Sequence, residues 1–162
     1  MKRYLFASLF YFFMSNANAD MLISYLKESN LPYDFSPSNY DNSPSNYDNS
    51  VNNYDNSPNN YSNSESNYDN SSSNYKNGVN GDSRLILKEN GSNYRAGYYV
   101  MSDNGVLNFF STKGKRLFYT PKNGIGVYNG KEGFFCGVLA TVDGDYRLVL
   151  TEKGYRTLMI NK

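Results

Sequence analysis

Apolar and polar positions divide the chain into four stretches. After Lys2 and Arg3 comes an apolar run, Tyr4 to Met14, broken only by Ser8, then a polar stretch ending in Ala17-Asn18-Ala19. Asp20 to Phe35 mixes the two kinds. From Ser36 to Asn77 tyrosine is the only apolar side chain that recurs, once in every seven residues. From Gly78 onward, β-branched and aromatic runs alternate with polar-Gly pairs.

The first stretch has the layout of a secretory signal peptide: a charged start, an apolar centre and an A-x-A cleavage site. Its apolar run is shorter than the ~20 residues needed to cross a bilayer. Cleavage after Ala19 is therefore expected over a membrane anchor, with export to the periplasm or beyond. No later segment is long and apolar enough to span. Asp20 to Glu28 reads as two turns of helix with Leu22, Tyr25 and Leu26 on one face. It is too short to hold alone and needs a surface to dock on.

The third stretch is one phrase in six copies: SPSNYDN, SPSNYDN, SVNNYDN, SPNNYSN, SESNYDN, SSSNYKN. Tyrosines fall at 40, 47, 54, 61, 68 and 75, and a worn copy, SNLPYDF, puts Tyr33 in phase. Ser, Asn, Asp and Pro oppose a helix, and an odd period scatters tyrosines over both faces of a strand. Ordering the 42 residues costs roughly 40–80 kcal/mol of backbone entropy, whereas burying six tyrosines returns about 9–18. These numbers predict a turn-rich, largely disordered heptapeptide tract, a spacer between leader and C-terminal domain.

The fourth stretch predicts antiparallel hairpins, with turns at Asn90-Gly91, Asp103-Asn104-Gly105, Lys113-Gly114, Asn123-Gly124, Asn129-Gly130, Asp143-Gly144 and Lys153-Gly154. Strands are expected near 84–89, 94–102, 106–112, 116–120, 125–128, 133–142 and 145–151. Residues 152–160 read as an eighth strand in preference to a helix capped by Thr151. The fold class is mainly β: a small antiparallel meander or up-and-down barrel over about 78–162. Its core draws on Leu85, Leu87, Tyr98, Val100, Leu107, Phe109, Leu117, Tyr119, Ile125, Val127, Phe135, Val138, Leu139, Leu148, Leu150 and Leu158.

The chemistry narrows the function. The formal charge is +1, with no basic stripe, so no nucleic-acid partner is expected. There is no histidine, which removes the commonest general base and metal ligand. Cys136 is the only cysteine and reads as a small buried residue. Asp143 and Asp145 sit in one tight turn, too few oxygens for calcium. No phosphate-binding loop is present, and no cofactor or metal is expected. The chain reads as a non-enzyme: an exported binding or structural protein with a β domain carried on a repeat spacer. Two alternatives stand beside it. The repeat itself self-associates or coats a surface, or the β domain inhibits an envelope-targeting enzyme. The expected partner is a protein or glycan of the cell envelope, and the candidate contacts are Tyr40, Tyr47, Tyr54, Tyr61, Tyr68, Tyr75, Tyr99 and Tyr128.

Overall fold

The computed structural model describes residues 19–88, 95–142 and 145–161. The expected leader up to Asn18, the Asn90-Gly91 turn and the Asp143-Gly144 pair lie outside these residues. Eight strands close into a barrel: β1 (Met21–Tyr25), β2 (Leu85–Lys88), β3 (Arg95–Met101), β4 (Leu107–Ser111), β5 (Arg116–Thr120), β6 (Gly126–Asn129), β7 (Phe135–Val142) and β8 (Asp145–Leu150). A short helix, α1 (Glu152–Ile160), follows. β2 to β8 form the antiparallel meander that the polar-Gly turns predict.

Two elements differ from expectation. Asp20 to Glu28 does not begin as a helix. It supplies β1, which pairs in parallel with both β2 and β8 and so closes the ring. Without it, the two ends of the meander would carry rows of unpaired backbone groups. An extended chain also sends Met21 and Ile23 into the barrel, where both are buried. The helical spacing of Leu22, Tyr25 and Leu26 is too short a signal to outweigh that pairing. Residues 152–160 are helix rather than strand, with the expected Lys153-Gly154 turn inside it, because β1 has already filled the place a further strand would take. Gly154 lets α1 lie against the barrel: a Cβ there would come within 2.2 Å of the Cys136 carbonyl oxygen. Leu158 joins the interior.

The interior cluster takes side chains from all eight strands, among them Met21, Ile86, Tyr99, Phe109, Phe118, Val127, Cys136 and Leu148. β4 and β5 are buried along their whole length, on both faces. What covers their outer face is the heptapeptide tract.

The tract is ordered, which corrects the expectation of a disordered spacer. It is a train of short turns, five of them 3-10 helices starting at Tyr40, Tyr47, Tyr61, Tyr68 and Tyr75. In every copy the opening Ser accepts the N–H two residues on through its Oγ, at 3.1 Å. The fourth-place Asn caps the next turn, its Oδ1 accepting the N–H two residues on at 3.0–3.1 Å. Both are the local bonds such side chains make in turns. The seventh-place Asn is buried and ties neighbouring copies together. Its Nδ2 donates to a carbonyl eight residues back in all six copies, at 2.6–2.9 Å. In five of them it also donates to the Ser carbonyl of its own copy. Tyrosine burial is not what orders the tract: this amide ladder and the barrel surface the tract covers offset its backbone entropy.

Candidate functional site

The connection from β1 to β2 takes the long way round. Leu26, Leu31 and Phe35 pack on the outer face of β5 to β8, against Tyr119, Tyr128, Phe135, Val138 and Val149. The heptads then run back across β6, β5, β4 and β3 and deliver the chain to β2. They form a belt around the barrel, and the barrel meets each copy at its last asparagine. The Tyr128 and Tyr119 hydroxyls donate to the carbonyls of Asn42 and Asn49 at 2.9 and 2.7 Å. Arg116 Nη2 donates to the Asn56 carbonyl at 2.9 Å, and Asn108 Nδ2 to Asn63 Oδ1 at 3.0 Å. The Tyr98 hydroxyl and Arg95 Nη2 donate to the carbonyls of Asn70 and Asn77, both at 2.7 Å. A period of seven residues along the belt is thus matched to one outward-pointing donor per copy on the barrel.

Arg116 is the centre of this contact. It is 6% exposed and has no carboxylate hydrogen-bonded to its guanidinium. Its Nε donates to Asn108 Oδ1 at 2.7 Å and its Nη1 to the Gly130 carbonyl at 3.1 Å, while the guanidinium lies 4.9 Å from the Tyr119 ring centre. The second place of the phrase also records the barrel. Three copies replace proline there, with Val51, Glu65 and Ser72. Val51 packs so closely on Gly133 that a Cβ at the glycine would lie 2.9 Å from its Cγ1. Glu65 Oε1 accepts the Arg116 backbone N–H at 2.8 Å, and Ser72 abuts Gly114. The phrase changes where a hairpin of the barrel reaches it, a signal that was available in the sequence.

The candidate contacts fall into two groups. Tyr99 and Tyr128 are buried and are not surface contacts, which corrects that expectation. Tyr99 faces the barrel interior with its hydroxyl bonded to the Ala19 carbonyl, and Tyr128 lies under the belt. The strand alternation left outward aromatics free for a partner, but Tyr98, Phe110, Tyr119 and Tyr128 are covered by this chain's own repeat. Tyr40, Tyr47, Tyr54, Tyr61, Tyr68 and Tyr75 are all on the surface, together with Tyr33, each 63–72% exposed. Asp34, Asp41, Asp48, Asp55 and Asp69, each directly following one of these tyrosines, are exposed as well. The belt therefore presents a row of near-identical rungs, each an aromatic ring, most with an adjoining carboxylate.

Elsewhere, Cys136 is fully buried, and burial pushes its thiol up to about 12. A cleft of about 280 Å³ lies between belt and barrel, lined by Glu65, Ser71, Ser72, Lys113, Gly114 and Lys115. Among the described residues no cluster of His, Cys, Asp or Glu able to hold a metal ion comes together, and no helix is long and apolar enough to cross a membrane.

The buried tyrosines make folding sensitive to alkali. Burial raises the hydroxyls of Tyr98, Tyr99, Tyr119 and Tyr128, that of Tyr98 to about 12. A folded value above the ordinary 10.0 means the contribution is complete below that pH and is lost as pH rises through the folded value. Arg116 has the opposite sign, since burial lowers it to about 10, so its deprotonation offsets part of the loss. With four tyrosines against one arginine, the melting temperature should hold to about pH 10 and fall between about pH 10 and 12. Thermal melts across that range check this, and an unchanged midpoint at the alkaline end would contradict it.

Comparison with family models, with curated proteins and with solved structures finds no match for this chain.

Proposed function

We propose that this protein is an exported, non-catalytic binding module in which the barrel is a rigid drum and the belt is the recognition surface. Export is inferred from the Lys2 to Ala19 leader. One observation supports the belt: within a copy, the Ser and both Asn residues have structural work, but the tyrosine ring has none. Those rings stay in phase through six copies, yet sit 63–72% exposed. A ring held in the same solvent-facing place six times, with no role in holding the fold, is what a contact residue requires.

The test keeps the fold and removes the rings. Tyr40, Tyr47, Tyr54, Tyr61 and Tyr68 are changed together to Ser in the full chain. Exposed substitutions of this kind usually shift stability within about 0.5 kcal/mol each, so the melting curve should stay close to wild type. Binding to isolated cell envelope should disappear. Retained binding would move the recognition surface off the belt. Self-association through the same rings is the competing reading. Light scattering that shows concentration-dependent oligomers of the wild type, and monomers of the variant, would favour it.

A further inference from the structure

We infer that the ligand of the belt is a linear glycan without acidic groups, neutral or carrying amino groups, laid along the row of tyrosines and held by several rungs at once. This rests on the belt being the recognition surface. Three features of the belt carry it.

The first is periodicity. Ser, Asn and Asn fix each rung to the next and to the barrel, so the six rings from Tyr40 to Tyr75 repeat the same surroundings and nearly the same exposure. A folded protein partner gains its affinity from a few unlike anchor residues at the centre of an interface. A row of equal rungs instead fits a ligand that repeats, because each repeat then makes the same contact and the contacts reinforce one another.

The second is the chemistry of a rung. Between residues 28 and 77 the exposed large apolar side chains are tyrosines alone. No exposed Leu, Ile, Met or Phe is offered there to anchor an amphipathic helix, which needs aliphatic pockets. Apart from Lys76 and prolines such as Pro44 and Pro58, the other exposed groups of the belt are hydroxyls, amides and carboxylates, such as Ser38, Ser45, Asn52 and Asn59 with the Asp residues. A pyranose ring presents C–H groups on its faces and hydroxyls at its edge. An aromatic face flanked by hydrogen-bonding groups suits both.

The third is charge. Residues 28–77 hold seven carboxylates and one lysine. This excess repels polyanions, whether nucleic acid, uronate or sulfated chains. It attracts a chain bearing ammonium groups, which a tyrosine face also binds through its quadrupole.

The experiment measures the full chain against three soluble oligosaccharides: a chitosan hexamer (cationic), cellohexaose (neutral) and an alginate hexamer (anionic). Calorimetry at low and moderate salt supplies the affinities. Chitosan should bind tightest, cellohexaose more weakly, and alginate at least about tenfold more weakly than cellohexaose. Affinity for chitosan should rise at least about tenfold from dimer to hexamer. Single changes Tyr47→Ser, Tyr54→Ser and Tyr61→Ser should each weaken binding by a similar few-fold factor. Asp41→Asn with Asp48→Asn should weaken chitosan but spare cellohexaose. Alginate binding equal to the others would overturn the inference, as would a single tyrosine carrying the whole effect. Two further outcomes separate this inference from the reading beneath it. If no glycan binds while envelope binding is still lost in the five-tyrosine variant, the glycan falls and the belt stands. If that variant binds envelope like wild type, both fall.

Discussion

Replacing Arg116 with Met should destabilise the protein by about 3 kcal/mol, because three buried acceptors lose their donor and each orphaned group costs ~1–3 kcal/mol. The acceptors are the Asn56 carbonyl on the belt, the Gly130 carbonyl in the β6–β7 turn and Asn108 Oδ1 on β4. The opposing effect is real. A guanidinium that is 6% exposed has been stripped of water with no carboxylate bonded to it, and methionine fills similar space without that penalty. Relief of this desolvation is why the expected loss sits near the bottom of the summed range. Arg116→Lys tests the same point differently. An ammonium keeps the charge but cannot match the planar fork, so it too should lose stability. Urea unfolding measures both. A loss below about 1 kcal/mol for Arg116→Met would mean that the guanidinium contributes little to holding belt and barrel together.

Deleting one complete copy of the phrase, residues 43–49, should prevent native folding. A flexible surface connection would tolerate this, since loop-closure entropy changes only slowly with length. The belt is not such a connection. Removing one copy brings the next phrase to the Tyr119 hydroxyl, moves Val51 away from Gly133 and carries every later asparagine off its donor. Keeping the later contacts instead would pull β1 from between β2 and β8. Six belt contacts at about 1 kcal/mol each already approach the ~5–15 kcal/mol by which a domain of this size is stable. Only the Asn42–Tyr128 contact lies upstream of the deletion, and lifting the rest of the belt also exposes Tyr98, Phe110 and Tyr119. Circular dichroism and limited proteolysis on the deletion variant read the outcome. A melting temperature within a few degrees of wild type would return the tract to the role of a passive spacer.

The β2–β8 meander was legible because its signals are local. Each hairpin carries its own polar-Gly turn, and each strand its own alternation, so Arg116–Thr120 matches the expected bounds. The misreadings all involve partners far away in sequence. β1 is a strand because of Ile86 and Leu148, which no window around Met21 contains. Tyr98 and Tyr119 were expected in the core, and they are buried, but under the belt rather than inside the ring. Tyr99 was expected outside and is inside. Alternation separates two faces without saying which is covered, and here both are. The heptads were misjudged for a related reason. A tract weighed alone lacks its largest stabilising contribution, the barrel surface it lies on. The asparagines at the seventh place do the work of a sheet ladder through their side chains, which an account based on apolar burial does not count.

The parallel seat of β1 has a mechanical consequence. β1 and β8 run in the same direction, with four residue pairs in register from Leu22↔Arg147 to Tyr25↔Leu150. If the N-terminus is held and tension is applied at the other end, the pull, once α1 has given way, is directed along these two strands. The load then acts in shear on the whole row of bonds together, instead of peeling them one at a time. On its other edge β1 has three further pairs with β2 that share the strain. A module that must keep its grip on a long polymer under drag is served by ends arranged in this way.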